Sequence, residues 1–434
     1  MLTSVSASKA AVITAIVCHV GSVSSLIVPF KRQAVSTPTD PYNFSVINYE
    51  GDGAIIYTAN VTLGGQSFEV QLDTGSSDLW VNTQNVTLSN VNDTGVQTFI
   101  SYEDMTEARG NILLSAMQFG NFTIPQQAFI NANGSNATSD GDLGLLGLSS
   151  KNISNVYRKL NDTSFNGETV MNNLFSAYSN ISTYITFLLT RTNLGKSDGG
   201  IFTIGETDPN WTKVLDQTPL PVRAKTDEWI TFMGGVSVNG KNYTGHGLLS
   251  NVPDTGVSQE YKDQLLAIFD TGTSTGLMPT YYWDAIYGSI PGISKVPGQP
   301  GLFQFPCDTK LNVTMYFNGT EIPINPLDIS MLASNERNET ICVNAFGAQD
   351  TKTSVEETND FTLGDAFLRN VYILYNYGNL TSTNNTLTNT TTPYVQLLPT
   401  TIQANAWNDF DSLNQARIAQ WDQLGGQFTP PSRK

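Results

Sequence analysis

From Ile55 onward the chain runs in short apolar alternations broken by Gly, Asn and Thr, and long helical periods are few. Period-two alternation bounded by turn formers is the mark of strands that bury one face in a core. Tyr57 to Leu63, Phe68 to Leu72 and Ala116 to Phe119 carry it and are expected to be strands. Helical spacing is confined to Ser164–Tyr178, to Tyr281–Tyr287 and to Ala404–Leu424. The last of these follows Pro399 and reads equally as a surface helix or a processed tail. The expected fold class is mostly β.

Two of the apolar runs end in the same tripeptide. Phe68-Glu69-Val70-Gln71-Leu72 leads into Asp73-Thr74-Gly75-Ser76, and Leu265-Leu266-Ala267-Ile268-Phe269 leads into Asp270-Thr271-Gly272-Thr273. Each copy reads as a strand that delivers one carboxylate to a tight glycine turn, with a hydroxyl residue just behind it. Each is followed, after a long β segment, by a strand-like run ending in glycine: Leu145-Leu146-Gly147 and Thr362-Leu363-Gly364. Glycine there permits close passage of a neighbouring backbone. The order repeats, so two related β lobes are expected, spanning 33–215 and 216–399 with a tail at 400–434. The boundary falls between Glu206 and Arg223, where Pro209, Pro219 and Pro221 interrupt regular structure. The Asn- and Thr-rich stretch 379–392 reads as an exposed glycosylated loop. Two carboxylates brought together at close range share a proton and activate water. The pattern is that of an acid-acting hydrolase.

Charge, leader and cysteines narrow the setting. The 434 residues hold 38 acidic and 22 basic side chains, a formal charge of −16. Loss of residues 1–32 removes Lys9, Lys31 and Arg32 and no acid, which takes −16 to about −19. Such a balance argues against a nucleic-acid partner, and it keeps a protein free of large positive charge in acid. Residues 1–24 have a signal-peptide pattern, with Lys9 ahead of the apolar Ala10–Val17 and small residues at Gly21–Ser25. The dibasic Lys31-Arg32 ends a short propeptide, 25–32, that a furin-like enzyme would release. No membrane anchor is expected, because the apolar leader is too short to span and the C-terminus is polar. Asn-X-Ser/Thr sequons run from Asn43 to Asn389, and their density points to a secreted, glycosylated chain. Cys18 lies in the leader, so Cys307 and Cys342 remain as one expected disulfide, with a reactive thiol as the alternative.

With these residues in hand, the chain resembles the pepsin-like aspartic proteases. The likeness rests on Leu72-Asp73-Thr74-Gly75-Ser76-Ser77-Asp78-Leu79-Trp80 and on Ala267-Ile268-Phe269-Asp270-Thr271-Gly272-Thr273-Ser274. It extends over roughly Tyr57 to Pro399 and includes the Cys307–Cys342 pair, placed where that family carries a second-lobe disulfide. The resemblance implies a bilobal fold with a cleft that binds polypeptide substrates in extended form. It implies an endopeptidase acting at acidic pH, with Asp73 and Asp270 as the catalytic pair sharing one proton, as the pepsin pair does. Thr74 and Thr271 would bond across to the opposite lobe, and Ser76 and Thr273 would donate to the outer oxygens of their aspartates. Ordinary turn chemistry is the alternative explanation of these hydroxyls. Gly75 and Gly272 would permit the turn and the backbone's approach to the carboxylates. Tyr102 corresponds to the flap tyrosine that closes over substrate and bonds a tryptophan, here Trp80. Where the family follows this tyrosine with glycines, this chain has Glu103-Asp104-Met105. The family's sizeable basic prosegment, the basis of its zymogens, is matched here by only a handful of residues. A monomer, secreted or held in a vacuole, completes the expectation.

Competing chemistry is limited by composition. A third Asp-Thr-Gly, at Asp254, follows Val252-Pro253, a poor strand end because proline has no N–H to donate. Gly272-Thr273-Ser274-Thr275-Gly276 fits a serine-hydrolase nucleophile elbow, but that fold needs a histidine after the serine. The histidines are His19 and His246, both upstream of Ser274. One histidine and one cysteine pair outside the leader leave no metal site of ordinary composition, and no cofactor is expected. A glycosidase would use two carboxylates without needing paired Asp-Thr-Gly turns. A pepsin-like scaffold acting only as a binding or inhibitor protein is expected to have lost an aspartate or its hydroxyl partner, and neither is lost.

Overall fold

A computed structural model describes residues 26–34, 55–102, 105–137, 143–191, 199–223, 227–248, 264–299, 301–335, 337, 339–349, 359–383, 386–389 and 391–423. The expected leader, Asp254 and the end of the tail lie outside these residues. The architecture is mostly β, with two related halves.

The alternation in Gln66–Asp73 explains its place. Phe68, Val70 and Leu72 are fully buried, while Glu69 and Gln71 are half-exposed on the other face. Each of these apolar side chains contributes roughly 1.5–3 kcal/mol by leaving water, and Leu72→Ala would cost about 2–5 kcal/mol through the cavity it leaves. The strand pairs antiparallel with Ile55–Leu63 and parallel with Gly144–Gly147. Leu79–Val81, Phe122–Asn131, Glu107–Phe119 and Asn92–Ser101 continue the sheet. Ile55–Leu63 also pairs with Glu107–Phe119, which curls the first half toward closure.

The sequence repeat is a repeat of sheet topology. In the first half Asp73 lies beside Gly147 on a parallel neighbour, which pairs antiparallel with Leu79–Val81, itself parallel to Phe122–Asn131. In the second half Leu265–Phe269 runs parallel to Phe361–Leu363, which pairs antiparallel with Gly276–Pro279, itself parallel to Phe346–Gln349. Each aspartate is thereby carried at the end of a central, buried strand. The halves are joined by a common sheet in which Tyr184–Leu189 of the first pairs with Val371–Asn376 of the second. Arg191 adds a part-buried ion pair to Asp328 at 2.6 Å, and Arg369 meets the same carboxylate at 2.9 Å.

Several expected boundaries move. The helix expected over Ser164–Tyr178 spans Val170–Ala177, because Thr169 caps it and accepts from the Asn172 amide. The one expected over Tyr281–Tyr287 spans Thr280–Ile286. The stretch read as a loop, 379–392, contains a hairpin of Leu380–Thr383 with Thr386–Asn389; threonine's β-branch suits strands as well as loops. Residues Leu26–Ala34 form a strand that pairs with Gly200–Ile204 and with Ile55–Leu63, and it runs through the dibasic pair.

The segment after Pro399 is a 21-residue helix, Gln403–Gln423. Ala406, Phe410 and Asn414, four residues apart, are its buried face. Asn414 donates to the Cys307 carbonyl at 2.9 Å. The half-buried Arg417 donates from its guanidinium to the Leu327 carbonyl at 3.0 Å and to Ser330 Oγ at 2.6 Å. Burial pushes its pKa down to about 10. Arg417→Ala strands these acceptors, and a lost charge-assisted bond with a buried orphan costs roughly 2–3 kcal/mol. We expect Arg417→Ala to lower the thermal midpoint and to make 403–423 the first segment cut in limited proteolysis. An unchanged midpoint and cleavage pattern would show that the helix is not part of the folded unit.

Candidate active site

The two Asp-Thr-Gly turns meet at the junction of the halves, and reciprocal hydrogen bonds join them. Thr74 Oγ1 donates to the Phe269 carbonyl at 2.9 Å and accepts the Thr271 amide at 3.0 Å. Thr271 Oγ1 donates to the Leu72 carbonyl at 2.8 Å and accepts the Thr74 amide at 3.0 Å. Both threonines are fully buried. Each hydroxyl therefore holds the residue just before the opposite aspartate, which no ordinary turn hydroxyl would do.

The carboxyls are supported alike. The Gly75 amide donates to Asp73 Oδ1 at 2.7 Å, and the Gly272 amide to Asp270 Oδ1 at 2.8 Å. Ser76 Oγ donates to Asp73 Oδ2, and Thr273 Oγ1 to Asp270 Oδ2 at 2.7 Å. The glycines are required for space: a Cβ on Gly75 would lie 2.7 Å from Asp270 Oδ1, and one on Gly272 would press on Asp73 Oδ1. Either methyl would force the aspartates apart. Asp73 is almost completely buried, and the two carboxyls are in hydrogen-bond contact. Burial first, and then the Asp270 charge, push the Asp73 pKa far above the ordinary 3.8. The proton that Asp73 binds so firmly therefore sits against the Asp270 carboxyl.

The Gly-terminated strands fit beneath the turns. A Cβ on Gly147 would meet the Ser77 backbone at 2.5 Å. The next amide, of Leu148, donates to the Asp73 carbonyl at 2.7 Å. Two residues that the sequence reading missed converge there, since Trp229 Nε1 and Tyr377 Oη both donate to the Leu148 carbonyl, at 3.2 and 2.5 Å. Only the fold brings them within reach. A third, Gln71, donates from Nε2 to the Gly272 carbonyl at 3.1 Å; its one sequence signal is a polar residue inside an apolar run. Asp78 is buried and accepts from Ser154 Oγ and from the Asn155 and Val156 amides, which ties the first turn to a following helix.

Trp80 Nε1 donates to Tyr102 Oη at 2.5 Å. Tyr102 lies at the end of the hairpin formed by Asn92–Ser101 and Glu107–Phe119, where the Tyr102 amide donates to the Thr106 carbonyl and the Met105 amide to the Tyr102 carbonyl. Met105 has a left-handed φ of 67° and is 84% exposed; this conformation costs a non-glycine residue about 1–2 kcal/mol. Glu103 and Asp104 lie outside the described residues. His246 stacks on Tyr281 with ring centroids 3.9 Å apart. Cys307 and Cys342 form a disulfide far along the second half, with Cα atoms 5.0 Å apart.

A family model described as eukaryotic aspartyl protease matches residues 56–383. An aspartic protease of Phaffia rhodozyma is 28% identical over 361 residues, covering 77% of this chain and 77% of its own length. Major aspartyl peptidase 1 of Cryptococcus neoformans var. grubii is 24% identical over 346 residues, 74% of this chain and 66% of its own. A vacuolar aspartic protease of Candida albicans is 25% identical over 354 residues, 74% and 72%.

The raised Asp73 pKa has a defined consequence for stability. A carboxyl that binds its proton more tightly folded than unfolded supports folding below the unfolded pKa, and that support is lost as pH rises through the folded value. Asp73→Asn, which carries no charge to desolvate, is expected to gain thermal stability over the parent at pH 7 and much less at pH 4. Melting curves of both proteins at the two pH values check this, and a gain independent of pH would contradict it.

Proposed function

This chain belongs to the eukaryotic aspartyl proteases, and from that premise we propose that Asp73 and Asp270 are its catalytic pair. In this reading it is an endopeptidase that hydrolyses internal peptide bonds of extended polypeptides in acid. The observation that carries the proposal is the meeting of the two carboxyls, one from each half, within the crossed threonine bonds. A water seated between them gives a proton to the ionised oxygen as it attacks the scissile carbonyl, while the protonated partner donates to the carbonyl oxygen. The C–N bond then breaks as the leaving amine takes the proton that the first aspartate gained from water, and no covalent enzyme intermediate is required. The glycine amides and the Ser76 and Thr273 hydroxyls leave each carboxyl one orientation, which keeps the geometry in place before substrate arrives. The one-proton state bounds activity on both sides: it is lost at low pH when both acids are protonated, and at higher pH when both are ionised.

The remaining parts take supporting roles. Tyr102, fixed by Trp80, is the residue that closes over substrate. The first lobe spans 33–215 and the second 216–399, with 1–24 a signal peptide and 25–32 a short propeptide. Export to the cell exterior or an acidic vacuole accords with the sequons. Among sequon asparagines whose side chains are described, Asn312 is half-buried and the others are exposed. No described helix is long and apolar enough to cross a membrane. A non-catalytic scaffold is disfavoured because both aspartates keep their hydroxyl partners.

Digestion of an acid-denatured protein, with and without pepstatin, tests the proposal. The wild type is expected to cleave it and to be blocked by pepstatin. Asp73→Asn and Asp270→Asn are each expected to lose at least about a hundredfold in kcat, the scale of general acid–base catalysis, while keeping the folded melting transition. Undiminished cleavage by either variant would refute the assignment.

A further inference from the structure

The near-symmetry of the two turns breaks at one position. Two residues before Asp73 stands Gln71, whereas two residues before Asp270 stands Ile268. The two-residue period of a strand puts each on the same face as its aspartate. Ile268 is 8% exposed and packs with Ile230 and Leu266. It has no polar atom to offer. Gln71 is half-exposed, and its carboxamide reaches into the opposite half, where Nε2 donates to the Gly272 carbonyl at 3.1 Å.

A peptide laid against the aspartates must pass over Gly75 and Gly272, the half-buried glycines beside them. On the Gln71 side it would find acceptors. One amide N–H of Gln71 is committed to Gly272, its Oε1 has no hydrogen-bond partner among the described residues, and the Gly272 carbonyl keeps a second lone pair. One step further along the same face, Glu69 Oε1 accepts from Thr58 Oγ1 at 2.6 Å, which leaves Oε2 as a further acceptor. An aliphatic side chain seated there would cover Oε1 without bonding it, and a buried acceptor left unpaired is penalised. A side chain with N–H donors, above all the charged head of lysine or arginine, would satisfy it.

We propose that Gln71 is a specificity-determining residue that makes the two sides of the cleavage point unlike. The substrate position on the Gln71 side takes a hydrogen-bond donor, lysine or arginine in preference to leucine, and the position on the Ile268 side takes an apolar side chain. This rests on the peptidase reading above.

Cleavage-site profiling on a mixed peptide library, followed by kcat/KM for peptide pairs differing only in Lys or Leu at the profiled position, tests it. The wild type is expected to enrich Lys and Arg at one residue flanking the cut and aliphatics at the other. Gln71→Leu is expected to lower the Lys-to-Leu ratio of kcat/KM about tenfold, since a site built to hydrogen-bond discriminates strongly once its polar group is in play. Gln71→Met, which keeps the length and removes both polar atoms, is expected to lower the ratio likewise, and it covers the case in which the leucine variant folds poorly. An apolar preference on both flanks, or a ratio unmoved by Gln71→Met, overturns the inference and leaves the peptidase reading standing. No cleavage by folded wild type removes both.

Discussion

The crossed threonine bonds are the constraint on which the rest of this molecule depends. Thr74 and Thr271 each donate to a carbonyl of the other half and each accept an amide from it. A hydrogen bond of this kind adds only about 1 kcal/mol net, but leaving a buried partner unsatisfied costs more. The exchange therefore tolerates little displacement of one half against the other. It also fixes the backbone one residue from each carboxyl, so the position of the acids is set by the contact that joins the halves.

The rest of the scaffold holds that contact in register. Each aspartate strand is central and lies parallel to a short strand ending near a glycine, so the turn cannot tilt without breaking ladder bonds on both sides. Trp229 and Tyr377, from the second half, grip the Leu148 carbonyl while its amide holds Asp73. The common sheet and the Arg191–Asp328–Arg369 cluster tie the halves farther out. At the distal side the helix Gln403–Gln423 packs over the disulfide region beyond the matched family segment. Rigidity at the centre thus comes from many buried polar contacts.

Burial and charge then do the chemical part. Asp73 is taken out of water beside a second acid, and both effects favour its protonated form. The arrangement is costly for the fold at neutral pH, as strained functional sites generally are, and its benefit is a proton held where a reacting carbonyl can use it.

How much of this was legible in the chain itself varies by element. Alternation in Phe68–Leu72 marked a half-buried strand, and the duplicated Asp-Thr-Gly marked two related halves, because both signals are local and survive any packing. The helix Val170–Ala177 is shorter than its pattern and 379–392 holds a hairpin instead of a plain loop, since Thr169 and the threonine-rich strands carry signals for more than one state. Tertiary structure alone decided which residues meet across the halves. Gln71 on Gly272, and Trp229 and Tyr377 on Leu148, are contacts between positions roughly eighty to more than two hundred residues apart. Sequence determines the identity of a side chain and its face on a strand; the partner it finds, and so its burial and protonation, is settled only when distant strands close on one another.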